Sequence, residues 1–209
     1  MEGGKIEIES SSFEKATLSS SLIIGSGSIS IVSSSFTSLI DSTPSSSNSD
    51  GSRALTVSIG NNQKVEIGAA SKPVVFTSCS SRGEGGALLC SISKGGVLAV
   101  THTTFDHCSS QQIGGGLAIV CETGLVSSSL SIKATFTSCS SSVRPVNALH
   151  LTAYSFESLI DSSRWIINNN QLISPDNNDV LWGDDLAEES ESKYRSLTLL
   201  FQDKRVLLN

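Results

Sequence analysis

The sequence predicts an all-β chain, coiled as a stack of parallel strands in the manner of a parallel β-helix. Three observations predict it. A short phrase recurs as Phe76-Thr77-Ser78-Cys79-Ser80-Ser81, Phe105-Asp106-His107-Cys108-Ser109-Ser110 and Phe136-Thr137-Ser138-Cys139-Ser140-Ser141, with starts 29 and 31 residues apart. Nine residues into the first two copies a glycine run opens, Gly85-Gly86-Ala87-Leu88 and Gly114-Gly115-Gly116-Leu117, with Val146-Asn147-Ala148-Leu149 as a degenerate third. Between these landmarks apolar residues alternate with period two, and no long stretch of period 3.6 occurs before residue 184. A phrase returning at this period marks stacked supersecondary units, and the alternation makes those units strands.

The elements follow in order. Gly3-Gly4-Lys5-Ile6-Glu7-Ile8 reads as a glycine doublet opening a strand, so the chain starts in the middle of a repeat. Phe13-Glu14-Lys15-Ala16 is a variant of the phrase, and Gly25-Ser26-Gly27 is a turn. Ile29 and Ile31 alternate with serines, and Phe36-Thr37-Ser38-Leu39-Ile40-Asp41-Ser42 repeats the phrase with leucine for cysteine. Turn-formers then crowd into residues 42–52, which read as a loop inserted into one unit. Leu55, Val57 and Ile59 form a strand, as do Val65 and Ile67 after the turn Gly60-Asn61-Asn62-Gln63. Short apolar runs at 97–100, 117–120 and 130–132 are strands bounded by Gly or Ser, with turns at Lys94-Gly95-Gly96 and Glu122-Thr123-Gly124. Phe156-Glu157-Ser158-Leu159-Ile160-Asp161-Ser162 closes the series, so repeats are expected over residues 1–172. Residues 173–209 read as an acidic spacer and C-terminal segment. There Asp184 or Asp185 is placed to N-cap a short helix from Leu186, and Ser196-Leu197-Thr198-Leu199-Leu200-Phe201 continues as helix or strand.

Stacking places equivalent residues above one another, about 4.8 Å apart. Phe36, Phe76, Phe105, Phe136 and Phe156 are expected to form one interior column. Cys79, Cys108 and Cys139 form another, ended by Leu39 and Leu159. The glycine doublets belong where the backbone turns tightly or neighbouring coils approach closely. An immunoglobulin-like sandwich also has short, evenly spaced strands, but it does not repeat a motif internally.

The alternation of Gly-Gly-Ala-Leu with Phe-x-x-Cys resembles the repeats of chlamydial polymorphic membrane proteins, which carry Gly-Gly-Ala-Ile and Phe-x-x-Asn. It is similar also to large Cys- and Ser-rich surface repeat proteins of anaerobic protists. The resemblance covers about residues 3–170 and is strongest at 76–121. It implies a right-handed, pectin-lyase-like solenoid and a surface or adhesive role. Cys79, Cys108 and Cys139 stand where the bacterial motif has asparagine, so an asparagine ladder does not carry over, and no catalytic residue is implied.

Composition narrows the function. The chain has 209 residues, 38% of them hydrophobic, enough for one elongated core. Serine is about a fifth of it. A net charge of −6, with arginines scattered at 53, 82, 144 and 164, disfavours nucleic acid as a partner. No apolar run is long enough to span a bilayer. Met1-Glu2-Gly3-Gly4 lacks the basic and apolar regions of a signal peptide, so an extracellular or cell-surface location is expected only for the chain as part of a longer exported protein.

No catalytic, cofactor or metal site is predicted. Five cysteines without a Cys-x-x-Cys pair read as buried thiols in ladders, with disulfides between rungs as the alternative. His107 beside Cys108 makes a poor metal pair, because neighbours on a strand point to opposite faces. Glu84 with Asp106, or Asp41 with Asp161, would be the carboxylate pairs of a polysaccharide-cleaving enzyme. Their simpler reading is as solvated turn residues, as it is for Arg82 and Lys94. His102, His107 and His150 read as strand or turn residues, and no Gly-x-Ser-x-Gly elbow is present. Gly25-Ser26-Gly27-Ser28 and Gly83-Glu84-Gly85-Gly86 lack the ending of a phosphate-binding loop. Trp165 and Trp182 are expected to close the end of the stack, with sugar stacking as the sharper reading. The expected function is a non-enzymatic, structural or adhesive segment of a surface repeat protein, binding host or cell-surface glycans or proteins. A polysaccharide-active enzyme, or a purely structural rod, is the alternative.

Overall fold

The computed structural model describes residues 5–42, 51–122, 125–142, 148–153, 165–169 and 181–185. These form an all-β structure. The strands are β1 (Lys5–Glu9), β2 (Ser12–Leu18), β3 (Ile23–Ser26), β4 (Ser28–Val32), β5 (Ser35–Asp41), β6 (Leu55–Ile59), β7 (Lys64–Ile67), β8 (Val74–Thr77) and β9 (Ser80–Ser81). They continue as β10 (Leu88–Ile92), β11 (Val97–Asp106), β12 (Ser109–Ser110), β13 (Leu117–Cys121), β14 (Leu130–Thr137), β15 (Ser140–Ser141), β16 (Leu149–Ala153), β17 (Trp165–Asn169) and β18 (Leu181–Asp185). The one helical piece among the described residues is a 3₁₀ turn, Ser127–Ser129.

Every strand pairing is parallel, and the chain passes repeatedly between two sheets. The smaller sheet runs β18-β16-β13-β10-β6-β3. The larger one holds the other twelve strands. In it β1, β4, β7 and the first half of β11 stack on one another, β2, β5, β8 and the second half of β11 stack beside them, and β14 follows β11. A parallel strand needs a crossover to reach its neighbour, so strands that pair are never consecutive in the chain.

Register is kept by identical chemistry. Leu55, Leu88, Leu117 and Leu149 occupy one column of the smaller sheet, and all are fully buried. Ile29, Val65, Leu98 and Leu130 occupy one of the larger sheet. Rings of Phe13, Phe36, Phe76, Phe105 and Phe136 stack with centroids 4.8–5.0 Å apart and nearly parallel planes. That spacing is the strand spacing itself, so ring stacking and strand pairing favour the same register. Phe156 lies outside the described residues; on its far side Phe136 pairs with Asn169.

Corners separate the columns. Lys15, Ser38, Ser78, His107 and Ser138 all take positive φ, between 50° and 53°. Each is the third residue of a Phe-x-x phrase, so one left-handed residue bends every copy at the same place. A second corner uses Ser10, Ser33, Gly68 and His102. β14 omits it, and the register against β11 shifts between Thr101 and Thr103 to absorb the difference. The glycine doublets sit at the crossing into the smaller sheet. Gly85 and Gly114 have φ of 64° and 69°. A Cβ on Gly86 would lie 2.0 Å from the Gly115 carbonyl oxygen, so one rung lies directly on the next there.

Lys5–Glu9 is the strand expected after the glycine doublet, and it pairs with Ser28–Val32 in the larger sheet. Within the segment read as an acidic spacer, Leu181–Asp185 is a strand paired with Leu149–Ala153, and Asp184 and Asp185 lie inside it. The helix expected from Leu186, the loop tip at 43–50 and the apolar run at 196–201 lie outside the described residues.

Candidate functional surface: a serine-lined groove

After each left-handed corner the phrase reads Cys-Ser-Ser, and strand alternation divides these residues between inside and outside. Cys79, Cys108 and Cys139 point inward and are buried. Ser80, Ser109 and Ser140 form an outer ladder, while Ser81, Ser110 and Ser141 form a buried one. Ile40 pairs with Ser80, so Ile40 and Asp41 extend both ladders by one rung. Together with Arg82 and Gln111 these residues line a groove of about 350 Å³. Its floor is hydroxyls repeated every ~4.8 Å, each able to donate and to accept. A broader hollow of about 690 Å³ lies between the turns, lined by Asn61, Lys94, Gly95, Gly96 and Val126 among others.

Asp41 closes one end of the groove as a structural acceptor. Its Oδ2 accepts the amide N–H of Ser52 at 2.9 Å and of Arg82 at 2.8 Å, tying both sides of the inserted loop to the next rung. Asp161, the other member of the Asp41–Asp161 pair, lies outside the described residues. Of the Glu84–Asp106 pair, register sets Thr77 and Thr137 beside Asp106, and the carboxylate of Asp106 meets His107 Nδ1 at 2.7 Å. His107 is exposed whereas Cys108 is buried, so these neighbours do not form a metal pair. His102 is the exposed bulge residue of β11. His150 is buried, with Nε2 3.2 Å from Thr152 Oγ1. Trp165 and Trp182 lie on β17 and β18, which pair with β14 and β16. Among the described residues no group of three or more His, Cys, Asp or Glu is arranged to hold a metal ion.

The five cysteines are buried and form no disulfide. Cys79, Cys108 and Cys139 donate to the carbonyls of Phe36, Phe76 and Phe105, at 3.5, 3.6 and 3.3 Å. Burial pushes Cys90 and Cys108 well above the ordinary thiol range and Cys121 up to about 12. A hydrogen bond from Cys108 lowers Cys79, so within that pair Cys79 ionises first. Cys90, Cys108 and Cys121, raised and enclosed in this way, are placed as packing groups.

Arg53, one of the scattered arginines of the sequence, is 1% exposed, and its Nη1 donates to Thr56 Oγ1 at 3.2 Å. No sequence signal marks it, because its burial depends on where the inserted loop folds back. The groove had a signal, the threefold Cys-Ser-Ser, whose significance is invisible until the rungs are stacked.

No helix among the described residues is long and apolar enough to cross a membrane. Comparison with protein-family models, with curated proteins and with solved structures finds no match.

Proposed function

We propose that this chain is a segment of a right-handed parallel β-helix, pectin-lyase-like in outline, with a non-enzymatic structural or adhesive role at a cell surface or outside the cell. The observation that carries the reading is the phenylalanine column, five rings in register on five successive rungs. A repeat whose recurring phrase serves register builds a stiff rod with flat faces. The hand follows from the strong preference of parallel crossovers for right-handed connection. The carboxylates of Asp41 and Asp106 are occupied by backbone amides and by His107, which supports structural roles over catalysis. The serine groove is the face offered to partners, glycans or proteins of cell surfaces. Each contact there is weak, and attachment arises from many contacts along the rod.

The test is antibody labelling of intact source cells against permeabilised ones. Labelling of intact cells is the expected result. Signal that needs permeabilisation overturns the surface reading and leaves an internal scaffold.

A further inference from the structure

The serine groove runs across the rungs, along the stack. Ile40, Ser80, Ser109 and Ser140 follow one another in its outer column, which therefore covers four rungs, about 14 Å. Beneath that column Ser81 and Ser110 are paired in register and buried. Their hydroxyls differ. Ser81 Oγ accepts the amide N–H of Gly83 at 3.0 Å. Ser110 is 4% exposed, and its Oγ has no hydrogen-bond partner among the described residues. A buried hydroxyl is costly to leave unpaired, and Ser110 lines the middle of the groove, where a ligand can pair it.

Period and chemistry narrow the occupant. An extended peptide rises about 3.3 Å per residue and turns alternate side chains away, so it falls out of step with rungs ~4.8 Å apart. An extended glycan advances by about one rung spacing per pyranose ring, and it can repeat one contact on every rung. Sugar hydroxyls both donate and accept, as serine hydroxyls do. The apolar face of a ring finds Ile40, 49% exposed at the head of the outer column. Charge points away from acidic glycans. Among the described residues lining the groove, Arg82 is the one cation and Asp41 the one anion. A polymer with a carboxylate on every ring would meet a single guanidinium in four rungs.

On the reading of this groove as the face offered to partners, we propose that it binds an extended, uncharged glycan. The glycan lies along the stack with one pyranose ring per rung, and one of its hydroxyls pairs with Ser110. No aromatic ring is among the described residues lining the groove, so each site binds weakly.

The experiment is titration of the full chain, followed by NMR amide shifts, with β-linked glucose, mannose and N-acetylglucosamine oligomers of increasing length. Polygalacturonate fragments and an extended serine-rich peptide are the comparison probes. At least one uncharged series should bind, more tightly with each ring up to about four, and equally at low and high salt. Ser110→Ala should weaken binding about fivefold without lowering the melting temperature, since the hydroxyl it removes is unpaired in the free chain. Ser109→Ala should weaken binding by a similar factor. Ser58→Ala and Ser91→Ala, exposed and paired on the smaller sheet outside the groove, should leave binding unchanged. Binding by no uncharged series, binding by the polyuronide or the peptide alone, or an equal loss from the smaller-sheet variants would each overturn the proposal. Cell labelling reads separately from this titration. Surface labelling without glycan binding removes this proposal alone, whereas glycan binding by a chain found only inside cells removes only the surface reading.

Discussion

The thiol of Cys108 donates to the carbonyl oxygen of Phe76, 3.6 Å away and one rung earlier in the stack. The same contact joins Cys79 to Phe36 and Cys139 to Phe105, so one interior column is fastened to the backbone of the next. Burial raises three of the five thiols, and a pH dependence follows. A free thiol in the unfolded chain ionises near pH 8.5, while burial raises Cys90, Cys108 and Cys121. Groups raised on folding contribute their full stability below about pH 8.5 and lose it as pH climbs toward the folded value. The limiting loss is about 1.4 kcal/mol per pH unit for each such thiol. Cys79, lowered by Cys108, works in the opposite direction and offsets part of it. Urea midpoints should therefore fall between pH 8 and pH 10, and Cys121→Val should flatten the fall. A midpoint constant over that range would contradict the buried-thiol account.

Phenylalanine truncation should depend on position in the column. Phe105 is fully buried between Phe76 and Phe136. Phe105→Ala should cost about 3–5 kcal/mol through the cavity and the lost stacking. Phe13, stacked on one side and partly exposed, should cost less than half as much. Denaturant unfolding of the two variants makes the comparison, and equal losses would argue against a continuous column.

Glycine replacement separates close approach from open turn. Gly86→Ala drives a methyl group into the carbonyl oxygens of Gly115 and Ser109, backbone atoms that cannot yield without separating the rungs. A loss of about 3 kcal/mol or more is expected, at the upper end for overpacking. At Gly60 the nearest atom is the Gln63 side chain, 3.0 Å away, which can rotate. Gly60→Ala should stay within about 1 kcal/mol of the parent, as measured by thermal unfolding.

The left-handed corners carry strain that can be relieved. Ser138 has φ of 50°, a region costing an L-residue about 1–2 kcal/mol but open to glycine. Ser138→Gly should stabilise by roughly 0.5–1 kcal/mol after glycine's greater unfolded-state entropy is subtracted. The readout is a rise in melting temperature; a fall would mean that the serine hydroxyl, not the corner, matters there.

Asp41→Ala removes one acceptor that two backbone amides share. Leaving them without it should cost about 2–4 kcal/mol, and proteolysis should then cut near Ser52 faster than in the parent. Unchanged cleavage would show that the loop base is held by other contacts.

Much of the fold was legible because a repeat reports its own register. The positions Phe, Phe+3 and Phe+9 recur in the sequence, and in-register stacking places them above one another whatever the loops between them do. The groove was half legible. Cys-Ser-Ser appears three times, but which serine faces outward depends on the left-handed residue before the cysteine. Nothing in the composition of Lys15, Ser38, Ser78, His107 and Ser138 announces that conformation, since glycine and asparagine are the residues that usually do.

From its sequence alone the chain was bound to be a β stack with phenylalanine and cysteine columns. Alternation and period are local properties, and repetition turns them into a lattice. Only the tertiary structure decided where the irregular residues fall. It set Arg53 in the interior, gave Asp41 the amides of Ser52 and Arg82, made His102 a bulge and brought Leu181–Asp185 back beside β16. Each of these joins segments across an insertion or a turn of unequal length, and the energy that selects it exists only once those segments meet.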